Sequence, residues 1–234
     1  MFSDIDTLPL RQVKAVRATI TPPRMSTYDV ATPSGFGTRR TRESLKLYLW
    51  NAEVAAAFMV PLHLCEVAVR NAAAEAVSAH YGSNWPWSTS FRRTLPNDAV
   101  GYSPRADLSN QAQRQSTTGK VIPEVKFIFW QRLFTSRFDA ALWDEQLLRV
   151  FPNAPDGAAV PELRERVFGD LEKIRKLRNR IAHHEPIFNR QLEADLAAIH
   201  DLLTLRCVTA TEVAKSRDRV TALLEARPFQ PEAR

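Results

Sequence analysis

The stretch PELRERVFGDLEKIRKLRNRIAHH, residues 161–184, decides the fold. Leu171, Ile174, Leu177 and Ile181 recur at three- and four-residue steps, which is one buried stripe on an α-helix. Pro161 sits where a first helical turn tolerates proline, and Pro186 follows just past the end. On the same ideal helix Arg175, Asn179 and His183 are successive four-residue neighbours and form a second, polar stripe. Arg180 and His184 pair on another face.

Working outward, the same periodicity returns. RRTRESLKLYLWNAEVAAAFMV (39–60) places Leu45, Leu49, Ala52, Ala56 and Met59 on one apolar face. Pro61 predicts the first turn of a new helix, PLHLCEVAVRNAAAEAVSAHY, ending at Gly82. Its apolar surface is wide enough for a central position. WPWSTSFRRTLPNDAVGYSP (85–104) predicts an irregular connection, and DLSNQAQRQ a short polar helix. VIPEVKFIFWQRLFTSRFDAALW (121–143) carries Val125, Ile128, Phe129, Arg132 and Leu133 at helical steps, with its aromatics read as core. Residues 189–207 and 209–226 predict one or two closing helices. No alternating strand pattern stands out, so the fold class is all-α, a helical bundle. Residues 1–38, rich in Thr, Pro and Ser, predict an extended or disordered N-terminal arm. The helical domain is expected over 39–225, with 226–234 as a tail.

At 234 residues the chain is long enough to bury a core without disulfides. Cys65 and Cys207 lie far apart in apolar patterns and read as buried thiols in a reducing cytoplasm. The N-terminus lacks the long apolar run of a secretory signal, and no uncharged apolar segment reaches the length of a membrane span. The expectation is a cytoplasmic protein with no membrane partner. Net charge is +6, compatible with an anionic partner such as nucleic acid. Residues 1–40 carry six cations against three acids. Residues 172–180 carry Lys173, Arg175, Lys176, Arg178 and Arg180 against Glu172 alone.

That second cluster leads into His183, His184 and Glu185, and two of the chain's five histidines are adjacent there. Arginine offers a fixed fork of donors to a phosphate, and histidine moves protons near neutral pH. RNA carries its own nucleophile, the 2′-hydroxyl, so a site need only position the backbone, move protons and stabilise phosphorane charge. No metal or cofactor is required for that. Arg178 and His183, five residues apart, do not point together from one straight helix. Pro186 disfavours helical geometry at Glu185 and invites a bend. A second copy of the chain is another way to complete the site. Two further readings stand beside this one: a basic helix end favoured only by the macrodipole, and a metal site, for which three consecutive ligands are poorly spaced. Glu66 and Arg70, four apart in an apolar helix, read as an internal pair or as support for Arg178.

The string RNRIAHHEPI (178–187) resembles the signature of the HEPN superfamily, and more narrowly of its Abi-like branch. Leu47–Ala72 is similar to that family's early helix pair, and Phe127–Trp143 to its central aromatic segment. The resemblance covers roughly residues 40–205. It implies a HEPN-type helical domain, a homodimer, and metal-independent endoribonuclease activity in phage defence or toxin-like growth arrest. A separate antitoxin or trigger protein is possible on that reading. Carried over, Arg178 contacts phosphate, His183 transfers the proton and Asn179 orients them. His184 and Glu185 support: Glu185 either holds His183 in one tautomer or caps the bend. Arg175, Lys176 and Arg180 are the expected RNA contacts. The alternative is a non-catalytic RNA-binding or protein-interaction module of the same fold.

Overall fold

The structure, a computed structural model, describes residues 3–33 and 37–229. Among them every regular element is helical, as the periodicity predicts. The α-helices are α1 Ser3–Thr7, α2 Leu10–Ile20, α3 Pro22–Ala31, α4 Gly37–Tyr81, α5 Thr89–Thr94, α6 Pro104–Arg114 and α7 Thr118–Glu124. They continue with α8 Phe127–Leu133, α9 Asp144–Val150, α10 Val160–Ala182, α11 Leu192–Arg206, α12 Val208–Ser216 and α13 Val220–Glu225. The chain divides into two units. The first holds residues 1–60, 177–196 and 217–234, and the second holds 61–176 and 197–216.

In the first unit, the extended arm expected over 1–38 is replaced by helix in its described part. Thr21 takes a positive φ of 80° between α2 and α3, and Pro22 and Pro23 then fill the first turn of α3, where proline costs no hydrogen bond. The Thr/Pro/Ser composition therefore marks helix junctions here. Val13, Met25 and Tyr28 are fully buried. Ile5, Val13 and Leu45 form one cluster, with Leu8, Ile20 and Tyr48 packed against it. Arg17 Nη2 donates to both carboxylate oxygens of Asp29, at 2.9 and 2.8 Å, and Nη1 donates to Ser44. Arg42 donates to the carbonyls of Ile5 and Leu8, and Lys46 pairs with Asp6 at 2.5 Å. Residues 34–36 of the expected arm, its first two residues, and 230–234 of the expected tail lie outside the described residues.

The two helices expected on either side of Pro61 are one, α4, with Pro61 inside it. Pro61 has no N–H to offer the carbonyl four residues back. The predicted stripe also shifts. Trp50, Val54 and Phe58 are fully buried, whereas Ala52, Ala56 and Met59 are exposed. This helix is apolar on more than one face, and the largest side chains win the core because they remove most surface from water. By length and composition alone α4 is also apolar enough to cross a membrane, which corrects the expectation that no segment approaches that length. Of the apolar window that passes this test, 33% is buried. Cys65 of this helix is buried as expected, whereas Cys207, expected to be buried, is exposed.

The second unit is built on aromatics. Trp85 meets Trp130 edge-on at 6.1 Å, and Phe134 stacks on Trp143 at 4.3 Å. The Trp143 indole donates to the carbonyl of Leu133 at 2.6 Å. Val125, Phe129 and Leu133 are buried, as expected of core residues. Their segment is not one helix, however. Pro123 lies in α7, Val125 is extended, and a π-helical turn at Asp139–Trp143 precedes α9. Arg164 holds that turn through Asp139 at 2.9 Å. The connection expected to be irregular at 85–104 contains a 3₁₀ turn at Trp85–Trp87 and α5, whose Ser88 caps the Phe91 N–H.

Candidate functional site

The end of α10 is set by its last backbone hydrogen bonds. The Glu185 N–H donates to the Arg180 carbonyl at 2.8 Å, and the His184 N–H to the Ile181 carbonyl at 3.0 Å. This pair is the Schellman arrangement, in which the residue after the cap turns left-handed and the freed carbonyls find donors. Glycine usually occupies that left-handed position. Here His184 does, at φ 55°. The motif's usual apolar contact between flanking residues is replaced by charge: Arg180 Nε lies 3.5 Å from Glu185 Oε2. Pro186 follows and excludes another helical turn. Of the two roles open to Glu185, the structure fits closure of the bend.

Beyond the proline, the chain is clamped to α4. Asn51 Oδ1, buried, accepts from the N–H groups of both Ile187 (2.7 Å) and Phe188 (3.1 Å). Arg227 donates to the Phe188 carbonyl at 2.6 Å while its guanidinium lies 5.0 Å over the Trp50 ring. Arg190 forks onto Asp195 at 2.8 and 2.7 Å at the start of α11. The backbone N–H groups of His184, Glu185, Ile187, Phe188 and Arg190 are thus all paired, and the αL histidine is held rather than left to fray.

A cavity of about 450 Å³ opens beside this bend, wholly within the first unit. From α10 and its cap it is lined by Arg178, Ile181, Ala182, His184 and Glu185. From α4 come Tyr48, Asn51, Ala52, Ala55, Ala56 and Met59, and from α3 comes Tyr28. The apolar stripe that sequence periodicity assigned to the core therefore partly walls this cavity. Tyr28 is fully buried, 5.2 Å from the Tyr48 ring and 5.3 Å from that of Phe188, and its hydroxyl has no hydrogen-bond partner among the described residues. Burial pushes its phenol up to about 12, opposed in smaller part by the Arg24 charge and reinforced by Tyr48.

The structure brings Arg178, His184 and Glu185 to one cavity. His183 does not line it. Its N–H continues the helical ladder to the Asn179 carbonyl at 3.0 Å, and its side chain is exposed. Asn179 is half-buried and also outside the lining. Arg175 donates to Gln131 at 2.8 Å, and Lys176 pairs with Glu172 at 3.0 Å, which holds the Glu172 carboxyl below its ordinary range. Glu66 pairs with Arg70 inside the second unit. Sequence reasoning missed Tyr28 and Asn51. Asn51 carried a signal, a lone amide in a run of apolar residues, whereas Tyr28 lay in a segment read as an arm. Among the described residues no three His, Cys, Asp or Glu side chains gather as metal ligands would. No family model, curated protein or solved structure matches the chain.

Proposed function

We propose that this chain is a metal-independent endoribonuclease of the HEPN type, Abi-like, acting in the cytoplasm in phage defence or growth arrest. The observation that carries the reading is the joint placement of Arg178 and His184 on one cavity, with His183 on the exposed turn beside it. An imidazole takes the proton from a ribose 2′-hydroxyl as that oxygen attacks phosphorus. The bond from phosphorus to the 5′-oxygen breaks, and that oxygen takes up a proton. Products are a 2′,3′-cyclic phosphate and a 5′-hydroxyl. Arg178 stabilises the extra negative charge on the pentacoordinate phosphorus. Asn179 orients the neighbouring groups, and Glu185 keeps the bend closed. Lys176 and Arg180 sit in exchangeable surface pairs, whose replacement by RNA phosphates costs little, whereas Arg175 reaches RNA only by leaving the buried Gln131. A homodimer and a separate antitoxin or trigger belong to the same proposal.

Single-turnover cleavage of total bacterial RNA by Arg178→Ala, His183→Ala and His184→Ala tests it. Arg178→Ala is expected to lower the rate by about 10²–10³. The histidine that moves the proton is expected to lower it by about 10²–10⁴, which also decides between His183 and His184. Equal rates for all three variants and the wild type would remove the site from the reaction.

A further inference from the structure

The cavity beside Arg178 is larger and more apolar than a phosphate needs. Ala52, Ala55, Ala56 and Met59 give it a wall of small and apolar side chains, although an exposed α4 face has no need to be hollow. Its volume of about 450 Å³ falls in the class that encloses small organic ligands. The two charges that line it, Arg178 and Glu185, both come from the α10 side, with the His184 imidazole beside them. A flat, largely apolar group with an anion at one end fits that distribution.

Two polar groups give the wall its specificity. The Tyr28 hydroxyl is buried without a partner, a costly arrangement that a ligand's polar edge would relieve. Asn51 also lines the cavity, and its amide orientation is fixed because Oδ1 already accepts two backbone N–H groups. Its Nδ2 donors remain for whatever else meets it. Tyr48, half-buried and edge-on to Tyr28, adds aromatic surface.

We propose that this cavity is a base subsite: it receives one unpaired nucleobase of the RNA while the adjoining phosphate lies on Arg178. The inference rests on the ribonuclease reading for its substrate, and it names that substrate as single-stranded. A base paired and stacked in a duplex cannot enter a side pocket, so duplex RNA is excluded. Stacking against the half-buried Tyr48 supplies affinity, and the sealed Tyr28 hydroxyl reaches the base edge as the base displaces the side chains over it.

The test uses the full chain and binding rather than turnover. Adenosine and uridine 3′-monophosphates are titrated beside ribose 5-phosphate, with wild type, Ala56→Trp and Tyr28→Phe. Wild type is expected to bind at least one of the two nucleotides about tenfold or more tightly than ribose 5-phosphate. Ala56→Trp, a change at an exposed lining position, fills the cavity and erases the difference. Tyr28→Phe keeps the ring, folds at least as stably, and weakens nucleotide binding several-fold, about the worth of one hydrogen bond. Equal binding of nucleotides and ribose 5-phosphate by wild type overturns the subsite. So does a change of oligomeric state in Ala56→Trp with nucleotide binding intact, which assigns the cavity to a second copy of the chain. If nucleotides bind as expected but RNA is never cut, the subsite stands and the ribonuclease reading falls. RNA cut equally well with the cavity blocked gives the reverse.

Discussion

His184 holds a backbone conformation that glycine adopts freely and other residues reach at a cost of about 1–2 kcal/mol. A histidine kept there against that cost is better explained by its side chain than by the turn. His184→Gly is therefore expected to raise stability by about 0.5–1 kcal/mol, once the extra freedom of glycine in the unfolded chain is subtracted. The same variant is expected to lose RNA cleavage, and thermal unfolding run beside a cleavage assay separates the two effects. Asn51 is the opposite case. Asn51→Leu leaves the Ile187 and Phe188 N–H groups buried without acceptors and is expected to cost about 2–4 kcal/mol in chemical denaturation. Asn51→Asp keeps an acceptor there and is expected to recover much of that loss. At this scale the sequence displayed the arginines and histidines plainly. It did not display which histidine shares a cavity with Arg178, because that depends on the left-handed turn at His184, and nothing in HHEP announces it.

Among the elements, α1–α3 depart most from expectation. Short helices joined at Thr21 and Pro22 lack the long periodicity that marks a helix in sequence, and their hold on α4 depends on side chains distant in the chain. Arg42 and Lys46 of α4 hold α1 and the residue after it, Arg17 reaches Ser44 of α4, and Arg17 with Asp29 fastens α2 to α3. Burial alone would raise the Asp29 carboxyl, yet hydrogen bonds from Arg17 and Ser44 and the charges of Arg17 and Arg40 carry it below its ordinary value of 3.8. A carboxyl lowered in the folded state contributes its full stability above that ordinary value. The contribution is lost as pH falls through the lowered one. Wild type is thus expected to lose this fastening only below the ordinary carboxyl value. Asp29→Asn is expected to lack it already at neutral pH, lowering stability by about 1–2 kcal/mol. A series of unfolding temperatures from neutral to acid pH checks this: the gap between the two proteins should close at the acid end. Along α4 the sequence showed helix correctly and mistook the face, since alanine and methionine at helical steps look the same whether they line a core or a cavity.

For the molecule as a whole, helix periodicity, low glycine content and the absence of alternation were enough to read an all-α chain. The division into two units was not legible, because α4, α10 and α11 each continue through the points where membership changes. The basic excess was legible as a number and less so as a surface, for Arg17, Arg175, Lys176 and Arg180 all hold partners within the chain. The central claim is that this arginine and histidine pair cuts RNA through the substrate's own hydroxyl. The most direct measurement is the chemistry of the ends left on bacterial RNA by purified wild type and Arg178→Ala in excess EDTA. The account predicts 2′,3′-cyclic phosphates and 5′-hydroxyls from wild type and almost none from the variant. Ends bearing 5′-phosphate, cleavage that stops when EDTA is added, or equal cleavage by the two proteins would contradict it.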